Sequence, residues 1–349
     1  MFDRLVGNQR AKDVLRRMLE ARRVPGALLF AGEDGVGKKL FALEVAKALN
    51  CRSPQGVEAC DQCPSCARIT QSVFPPYNDP DADKKRIIWS DHADVGLVRP
   101  YGRSLLVNQM REIEREANFR PYEGAARIFL IEDADKLNDH SSNALLKTLE
   151  EPQPTSHLIL LTSRPAALLP TIRSRCQAIR FSPLSTAEIE AHLARDKRFK
   201  AADARLLARV ARGSIGRALS TNLDSYRQQR EAMMDLLGAL ALTGERSRLL
   251  RAAEELNDAK RKEEYEPRLD VLETLVHDVW TLTLGASRAT LVNDDLHDPL
   301  SKMSQRLTSE RAARWLSQIE TLRDQLAVNI NRKVATDALF LAMAEASSR

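Results

Sequence analysis

The stretch AGEDGVGKKL at residues 31–40 has the spacing of a phosphate-binding loop. Four residues separate Gly32 from Gly37, Gly35 lies between them, and Lys38 follows directly. An apolar run precedes the loop and a helical pattern follows it. Backbone amides at the helix N-terminus can therefore hold phosphate oxygens while the lysine reaches the outer ones. The alternative is a glycine-rich turn with a chance lysine, which does not explain the complete spacing.

Two departures from this motif concern hydrolysis. Lys39 stands where the loop normally carries a Ser or Thr hydroxyl that ligates Mg²⁺, and an ammonium group cannot coordinate a cation. In RIFLIEDAD, Glu132 precedes Asp133, whereas an ATPase strand ends in Asp for the metal and then Glu for the attacking water. Moving a carboxylate by one methylene shifts its oxygens by about 1.5 Å, which affects phosphoryl transfer. We expect ATP or ADP binding to be possible and hydrolysis to be lost.

Four cysteines form a third group in CRSPQGVEACDQCPSC: Cys51, Cys60, Cys63 and Cys66. Their thiolates can close a tetrahedral Zn²⁺ site that has no open position, so the site is expected to be structural. Disulfides are the competing use, but the sequence shows no secretory signal for an oxidising compartment. A zinc knuckle can also contact nucleic acid. Cys176 has no partner of this kind.

Two arginines in TIRSRCQAI at 171–179 form a fourth candidate. Arg173 and Arg175 end a short segment that leads into an apolar run, at the expected edge of the sheet. An arginine at such an edge can reach the γ-phosphate of a neighbouring subunit and stabilise the charge of the leaving phosphoryl group. Spacing alone favours the simpler interpretation, which is a surface arginine.

Continuously apolar runs in the first half of the chain predict the strands that position these groups. Such runs are typical of parallel strands that are buried on both faces, so we predict a five-stranded α/β domain. The predicted strands are ALLFA at 27–31, RIIWS at 86–90, RIFLI at 127–131, HLILLT at 157–162 and QAIRF at 177–181.

Helical spacing appears between the predicted strands and dominates the rest of the chain. One predicted helix begins near an Asn138 cap and ends before Pro152. Apolar residues at helical spacing indicate two further helices, one with Phe41, Val45, Ala48 and Leu49 and one with Met110, Ile113 and Ala117. In the C-terminal region such residues form an apolar stripe that must pack on something: Leu316, Ile319, Leu322, Leu326 and Ile330.

We predict three domains from this pattern. They are an α/β domain at 1–182 with the cysteine insertion at 51–66, a small helical lid at 183–225, and a helical domain at 226–349. Residues 74–103 carry no motif that we can interpret.

Composition restricts the class of protein. The 349 residues are 43% hydrophobic and 29% charged, which is typical of a soluble globular chain with a sizeable core. The N-terminus has no signal-peptide pattern, and no apolar run reaches the roughly 18 residues that a membrane span needs. We therefore expect a cytoplasmic protein that does not contact membranes. The net charge of +5 permits contact with nucleic acid, but acids and bases are interleaved along most of the chain.

The motifs, in this order, resemble the clamp-loader branch of the AAA+ ATPases, and among them the delta-prime subunits of bacterial DNA polymerase III. The resemblance covers nearly the whole chain. It rests on the phosphate loop, the cysteine insertion and six further stretches: LVGNQRAKDVL, RIFLIEDADKLNDHSSNALLKTLEEP, LLTSRP, TIRSRCQ, GSIGRAL and NINRKVATDALFLAM.

This resemblance implies a three-domain subunit of a circular pentamer that loads a sliding clamp on primed DNA, with gamma/tau and delta subunits as partners. The helical region after about 226 would be the collar of that pentamer. Because delta-prime subunits often have damaged loops, the departures at Lys39 and Glu132 fit this branch.

The resemblance also implies roles for individual residues. Lys38 would be the loop lysine, and Arg175 would be the arginine finger offered to an adjacent motor subunit. Gly216 falls where motor subunits have a third nucleotide contact, an arginine, and Arg217 comes one place later. An adenine pocket and the polar group that senses the γ-phosphate would come from Val6, Gly7 and Asn8, and from Thr162 or Ser163.

Two other functions remain open at this point. One is a working AAA+ motor that tolerates Lys39 and the reversed acids, which would turn over ATP by itself with magnesium. The other is a zinc-containing nucleic-acid-binding module on a vestigial ATPase fold, which would bind DNA tightly and lose that binding when zinc is removed.

Overall fold

The computed structural model describes residues 2–71, 74, 86–243, 246–257, 264–327 and 331–345. The chain forms two compact units. The first comprises Met1–Phe199 with Ala211–Leu219, and the second comprises Lys200–Val210 with Ser220–Arg349. The finer division into three domains stays a prediction.

A six-stranded sheet organises the first unit, in the order β2-β3-β4-β5-β1-β6. All neighbouring strands pair in parallel except β2 and β3, which pair antiparallel. This arrangement confirms the α/β fold class and places β6 at an edge. The strands are β1 Ala27–Ala31, β2 Ile88–Trp89, β3 Val95–Val98, β4 Arg127–Ile131, β5 Ser156–Thr162 and β6 Gln177–Arg180.

The predicted strand count of five was wrong. The run RIIWS supplies only the two-residue antiparallel strand β2, and the parallel neighbour of β4 is β3, with the sequence VGLV. A glycine interrupts this run, which has only four residues. Gly96 is required there because a Cβ would lie 2.6 Å from Cγ2 of Ile87, which packs across it.

Each central strand buries alternate side chains in two different cores. In β4, Ile128 and Leu130 belong to one hydrophobic cluster, while Phe129 and Ile131 belong to the other. This is the period of two that a pleated strand imposes. Helices therefore cover both faces of the sheet, as the continuously apolar strand sequences predict.

Three helices of the first unit agree with the predicted ones: α2 Lys38–Asn50, α4 Val107–Ala117 and α5 Asp139–Glu150. Asn138 caps α5 as expected, since its Oδ1 accepts from Ser141 N at 2.9 Å and Ser141 Oγ accepts from Asn138 N at 2.9 Å. The helices that lie wholly in this unit are α1 Gln9–Glu20, α2 Lys38–Asn50, α3 Pro64–Gln71, α4 Val107–Ala117, α5 Asp139–Glu150, α6 Pro170–Arg175 and α7 Thr186–Leu193.

The remaining helices are α8 Ala201–Val210, α9 Ile215–Ser220, α10 Leu223–Gly238, α11 Arg246–Leu256, α12 Tyr265–Thr283, α13 His297–Ser304, α14 Ser309–Ala327 and α15 Arg332–Glu345. Most of α9 lies in the first unit, and the other helices belong to the second unit.

The second unit has one hydrophobic core made by its helices. Trp315 is fully buried there, and its Nε1 donates to Met343 O at 3.0 Å, which joins α14 to α15. Ile319 and Leu322 of the predicted stripe are buried in this core, and Leu316 and Leu326 pack against it; Ile330 lies outside the described residues. The expectation that the stripe packs on something is confirmed. Among the described helices, none is long and apolar enough to cross a membrane.

Candidate nucleotide site and metal centre

A cavity of about 370 Å³ lies in the first unit, where the phosphate loop joins β1 to α2. The carboxyl ends of parallel strands are the usual place for ligands in such sheets. Its lining comes from four parts of the unit: Arg4–Val6; Asp34–Phe41; Glu132, Asp133, Leu161 and Thr162; and His192, Ile215, Gly216 and Leu219.

Glycines allow the loop to take its path. Gly35 and Gly37 have φ angles of 75° and 99°, in the left-handed region that favours glycine. A Cβ on Gly35 would lie 2.1 Å from Ser214 Oγ, and Gly216 N donates to Gly35 O at 2.9 Å. Gly32 lies close to the backbone of Phe181, since a Cβ on Gly32 would lie 2.4 Å from Phe181 O.

Lys38 folds back onto its own loop. Its Nζ donates to Gly32 O at 2.5 Å and to Glu33 O at 2.8 Å, and it lies 3.5 Å from Asp34 Oδ1. Burial lowers the pKa of Lys38, an effect that the Asp34 carboxylate opposes. The lysine therefore fixes the loop in a closed curve around the cavity.

Lys39 forms an ion pair with the first acid of the reversed pair. Its Nζ lies 2.9 Å from Glu132 Oε1, and Arg99 Nε donates to Glu132 Oε2 at 2.6 Å. Both carboxylate oxygens of Glu132 thus have a cationic partner. The Lys39 ammonium also lies 4.8 Å from the centre of the Phe74 ring, and burial lowers the pKa of Lys39.

Asp133 also has a cationic partner. Lys136 Nζ donates to its Oδ2 at 3.0 Å. The backbone of Asp133 is left-handed, with φ 47°, and it begins a short 3₁₀ turn at Ala134–Lys136. The second carboxylate of the pair is therefore held by its own turn.

Thr162 is the predicted sensing residue that lines the cavity. Its Oγ1 donates to Asp135 Oδ1 at 2.7 Å, and Arg164 Nη2 donates to the other oxygen of Asp135 at 2.8 Å. The pKa of Asp135 is lowered: burial acts to raise it, but the Thr162 and Arg164 hydrogen bonds and the Arg164 charge outweigh that effect.

The three residues predicted for an adenine pocket differ in their surroundings. Val6 lines the cavity, whereas Gly7 and Asn8, like Gly32, are not among its described lining. Gly7 and Asn8 have positive φ angles of 59° and 51°. Asn8 instead joins the N-terminus to the end of the sheet, since its Nδ2 donates to Ser182 O at 3.2 Å and its Oδ1 accepts from Ser182 N at 2.7 Å.

The four cysteines of the insertion meet at the C-terminal end of α2. The Sγ atoms of Cys51, Cys60, Cys63 and Cys66 lie within 4.8 Å of one another. Tetrahedral thiolate coordination with bonds near 2.3 Å requires sulfur separations of about 3.8 Å, so the cluster can close around a metal ion with small adjustments. The cysteines form no disulfide.

Backbone amides point at the sulfurs, as expected for sulfurs that bind as thiolates. Cys60 N donates to Cys51 Sγ at 3.3 Å, Cys63 N to Cys60 Sγ at 3.3 Å, and Cys66 N to Cys63 Sγ at 3.5 Å. Burial acts to raise the pKa of the Cys63 thiol, but hydrogen bonds from the Cys66 and Arg52 amides and from neighbouring thiols bring it to about 6.

Polar side chains hold this insertion on the domain. The buried Lys47 of α2 lies 2.6 Å from Asp61 Oδ1, within the turn between the second and third cysteines. Ser65 Oγ lies 2.9 Å from His92 Nε2, and Arg68 forms an ion pair with Glu123. The insertion is therefore attached to the loops that begin β3 and β4.

Arg175 ends α6 at the edge of the sheet, directly before β6. Its Nη2 lies 2.7 Å from Glu150 Oε1, and its Nη1 donates to Thr171 O at 3.0 Å. The side chain is 36% exposed, and Arg173 is exposed as well. Cys176 is buried, and burial raises the pKa of its thiol to about 11.

Comparison with known families supports one assignment for both units. Residues 7–185 match the profile of the family described as DNA polymerase III, delta subunit, and residues 225–343 match that of DNA polymerase III, delta subunit, C terminal. The chain belongs to the DNA polymerase III delta subunit family.

Individual members of this family and its relatives agree with the assignment. The chain is 27% identical over 336 residues to the DNA polymerase III subunit delta' of Bacillus subtilis, which covers 96% of each chain. It is 29% identical over 326 residues to that of Escherichia coli, covering 92% of this chain and 90% of the relative. It is also 32% identical over 228 residues to the Escherichia coli DNA polymerase III subunit tau, covering 63% of this chain and 32% of the relative.

Two residues that contact the reversed acidic pair were not predicted from the sequence. Neither Arg99 nor Lys136 was predicted, although they neutralise Glu132 and Asp133. Arg99 follows β3 directly, so recognition of that strand would have placed it beside the end of β4. Lys136 lies three residues after Asp133, a spacing that a turn can close.

Proposed function

We propose that this delta-prime-like clamp-loader subunit of DNA polymerase III does not hydrolyse ATP and supplies Arg175 to the active site of a neighbouring motor subunit. The observation that carries the first half is the contact of Glu132 with both Lys39 and Arg99. Phosphoryl transfer in such sites needs a metal ligand after the loop lysine and an acid at the end of a second strand, which is β4 in this chain. Here these two groups are paired with each other.

The position of Arg175 supports the second half of the proposal. It lies at the sheet edge, and its partner Glu150 is half exposed. A pair between exposed groups contributes only about 0–1 kcal/mol, so Arg175 can exchange this carboxylate for a phosphoryl group at little cost. An arginine supplied in trans accelerates such reactions by about 10³-fold or more.

Membership of this family supports a proposal about the partners. We propose that the chain assembles with gamma/tau and delta subunits and acts with them on the sliding clamp and primed DNA. The second unit, whose helices share one core, would serve as the collar of that assembly. In this assembly the gamma/tau subunits would hydrolyse the ATP.

We also propose that the metal of the cysteine cluster is Zn²⁺. Four thiolates that lie within 4.8 Å of one another suit this ion and would leave no open position for a substrate. When bound, the ion would cross-link the end of α2 to the start of α3. The cysteines would therefore stabilise the insertion without taking part in a reaction.

Steady-state ATP hydrolysis by the reconstituted assembly, with clamp and primed DNA, tests the function. Arg175→Ala is expected to lower turnover at the adjacent site by about 10³-fold or more while assembly is unchanged. Arg173→Ala is the matched control, since it removes a neighbouring exposed arginine of the same helix, and Glu150→Gln removes only the resting partner of Arg175. Both controls are expected to retain turnover.

Two results would contradict the proposal. Unchanged ATP turnover with Arg175→Ala would show that Arg175 is not an arginine finger for the neighbouring subunit. Magnesium-dependent turnover by this chain alone, at the rate of the full mixture, would identify it as a motor subunit despite Lys39 and Glu132.

A further inference from the structure

The loop between α4 and β4 is held by two buried side chains, Asp94 and Asn50. Asp94 Oδ1 accepts from Tyr122 N at 2.7 Å, and its Oδ2 accepts from the next two amides at 2.9 Å and 2.8 Å. Asn50 Oδ1 accepts from the two amides that follow, both at 2.9 Å. Five consecutive amides therefore have fixed acceptors, which gives the backbone of this loop one defined path.

This fixed loop presents a large aromatic side chain to solvent. Tyr122 is 69% exposed, although Asp94 holds its backbone. The centre of its ring lies 5.0 Å from Cζ of Arg127, and the ring centre of Trp89 lies 5.0 Å from the same atom. Arg127 is fully buried, and Glu116 O accepts from its Nη1 at 2.7 Å while Glu116 Oε2 accepts from its Nη2 at 3.1 Å. One fixed cation therefore positions both rings.

Trp89 belongs to the edge strand β2 and is 37% exposed. Its ring lies across Gly96 of β3, since a Cβ on Gly96 would lie 3.3 Å from Trp89 Cε3. It also packs edge-on against Phe129 of β4, with 6.0 Å between the ring centres. We call Trp89 and Tyr122 the aromatic platform. Because both rings are already held, a ligand that stacks on them requires little further ordering of the protein.

Exposed arginines lie beside the aromatic platform, above acids that are mostly buried. Arg86 lies 3.3 Å from Glu112, and its side chain is 65% exposed where that of the acid is 13% exposed. Arg115 lies 3.2 Å from Glu116 and shows the same contrast. Glu116 is also the acceptor of Arg127, which places this second pair next to the platform. Cations therefore form the outer layer at this corner of the first unit, and acids form the inner layer.

Two further arginines extend this outer layer. Arg111 lies one turn before Arg115 on α4, and Arg120 lies two residues before Tyr122. Both are exposed, and neither forms an ion pair within the described part of the chain. The exposed Asp91 reduces the positive charge without cancelling it. We call the four arginines the basic rim: Arg86, Arg111, Arg115 and Arg120.

We propose that the aromatic platform and the basic rim bind single-stranded nucleic acid. Bases of a single strand stack on exposed aromatic rings with little dependence on sequence, while arginines contact the phosphates between them. A duplex keeps its bases stacked inside and offers only phosphates, which suit the rim but not the rings. The described lining of the loop cavity includes none of these residues, and the inference does not depend on the proposed role of Arg175.

The test is the fluorescence anisotropy of a labelled oligothymidylate of about 12 nucleotides, titrated with the full chain and compared with a duplex of equal length. We expect the single strand to bind about tenfold more tightly than the duplex. Tyr122→Ala removes an exposed ring and is expected to weaken binding of the single strand by about tenfold, whereas Tyr122→Phe keeps the ring and the affinity.

The rim is tested by the salt dependence of the same titration. Arg120→Ala is expected to lower the slope of log affinity against log salt concentration by about one, because one phosphate contact is lost. Arg23→Ala is the matched control, since it removes an exposed arginine that follows α1 and lies outside the rim. This control is expected to leave the slope unchanged.

Several results would overturn the inference. One is a duplex that binds as tightly as the single strand, or no binding of either. Another is an unchanged affinity in Tyr122→Ala. Displacement of the oligonucleotide by an oligoglutamate of equal charge and concentration would show that the surface binds acidic peptides instead. The comparison of single strand with duplex needs no variant, so it decides the question even if a substituted chain fails to fold.

Discussion

Helix α2 carries a candidate site at each end, and the two sites differ in how their ligand atoms are used. At its C-terminal end, the four cysteine sulfurs converge within 4.8 Å. At its N-terminal end, the loop lysine contacts loop carbonyls, and the following lysine contacts Glu132. The helix dipole suits an anion at the second site.

The difference comes from the distance along the chain over which each site is built. The cysteine site is local, since its four sulfurs come from sixteen consecutive residues and the turns between them. The phosphate-loop site depends on residues far along the chain, because Arg99 and Glu132 come from the ends of β3 and β4. A motif therefore indicates which groups can meet, while distant residues decide whether those groups remain available to a ligand.

The largest expected effect is at the cysteine site. Cys63→Ser is expected to abolish stoichiometric metal content and to lower the free energy of unfolding by at least about 3 kcal/mol, because metal binding is coupled to folding. Elemental analysis and denaturant unfolding measure the two quantities. Cys176→Ser is the control, since this buried cysteine lies outside the cluster. Full metal content in Cys63→Ser would show that the four sulfurs do not form the site.

The next effect is at the acidic pair. Glu132→Gln is expected to destabilise the chain by about 2 kcal/mol, because Arg99 is buried and loses its carboxylate partner together with Lys39. Asp133→Asn is the matched control, expected to cost less than about 1 kcal/mol because its pair with Lys136 is more exposed. If thermal or denaturant unfolding showed equal losses of stability in the two variants, Glu132 would not contribute more to stability than Asp133.

A smaller effect is expected at the loop lysine. Lys38→Met keeps most of the buried stem but leaves the carbonyls of Gly32 and Glu33 without this donor, so we expect a loss of about 1 kcal/mol in the free energy of unfolding. Denaturant unfolding without nucleotide measures it. An unchanged or higher stability would mean that Lys38 does not fix the empty loop.

The smallest effect is a dependence on pH that arises from Lys39. Burial lowers its pKa below the ordinary value of 10.5, so between the lowered pKa and 10.5 the unfolded state binds more protons than the folded state. The free energy of unfolding therefore rises with pH in that window. The difference in stability between wild type and Lys39→Met is expected to move in favour of the wild type as the pH approaches 10.5. If the difference in stability between wild type and Lys39→Met stayed constant or fell as the pH rose, the Lys39 ammonium would not be buried as described.

Much of the fold could be predicted because its signals are local. The apolar runs of β1, β4 and β5 and the cap at Asn138 were identified correctly, since each depends on neighbouring residues. Strand β3 was missed because Gly96 interrupts a run of only four residues. That glycine is explained by the Ile87 side chain packed over it, a contact that no local pattern contains.

Local sequence patterns were enough to predict the α/β class, the position of the phosphate loop and the four cysteines that cluster, because each depends on residues close together in the chain. Contacts between distant parts of the chain hold Glu132 between Lys39 and Arg99 and bond Asn8 to Ser182. These outcomes depend on which strand ends lie side by side. Spacing along the chain does not contain that information, because strand order is set by packing of the whole sheet.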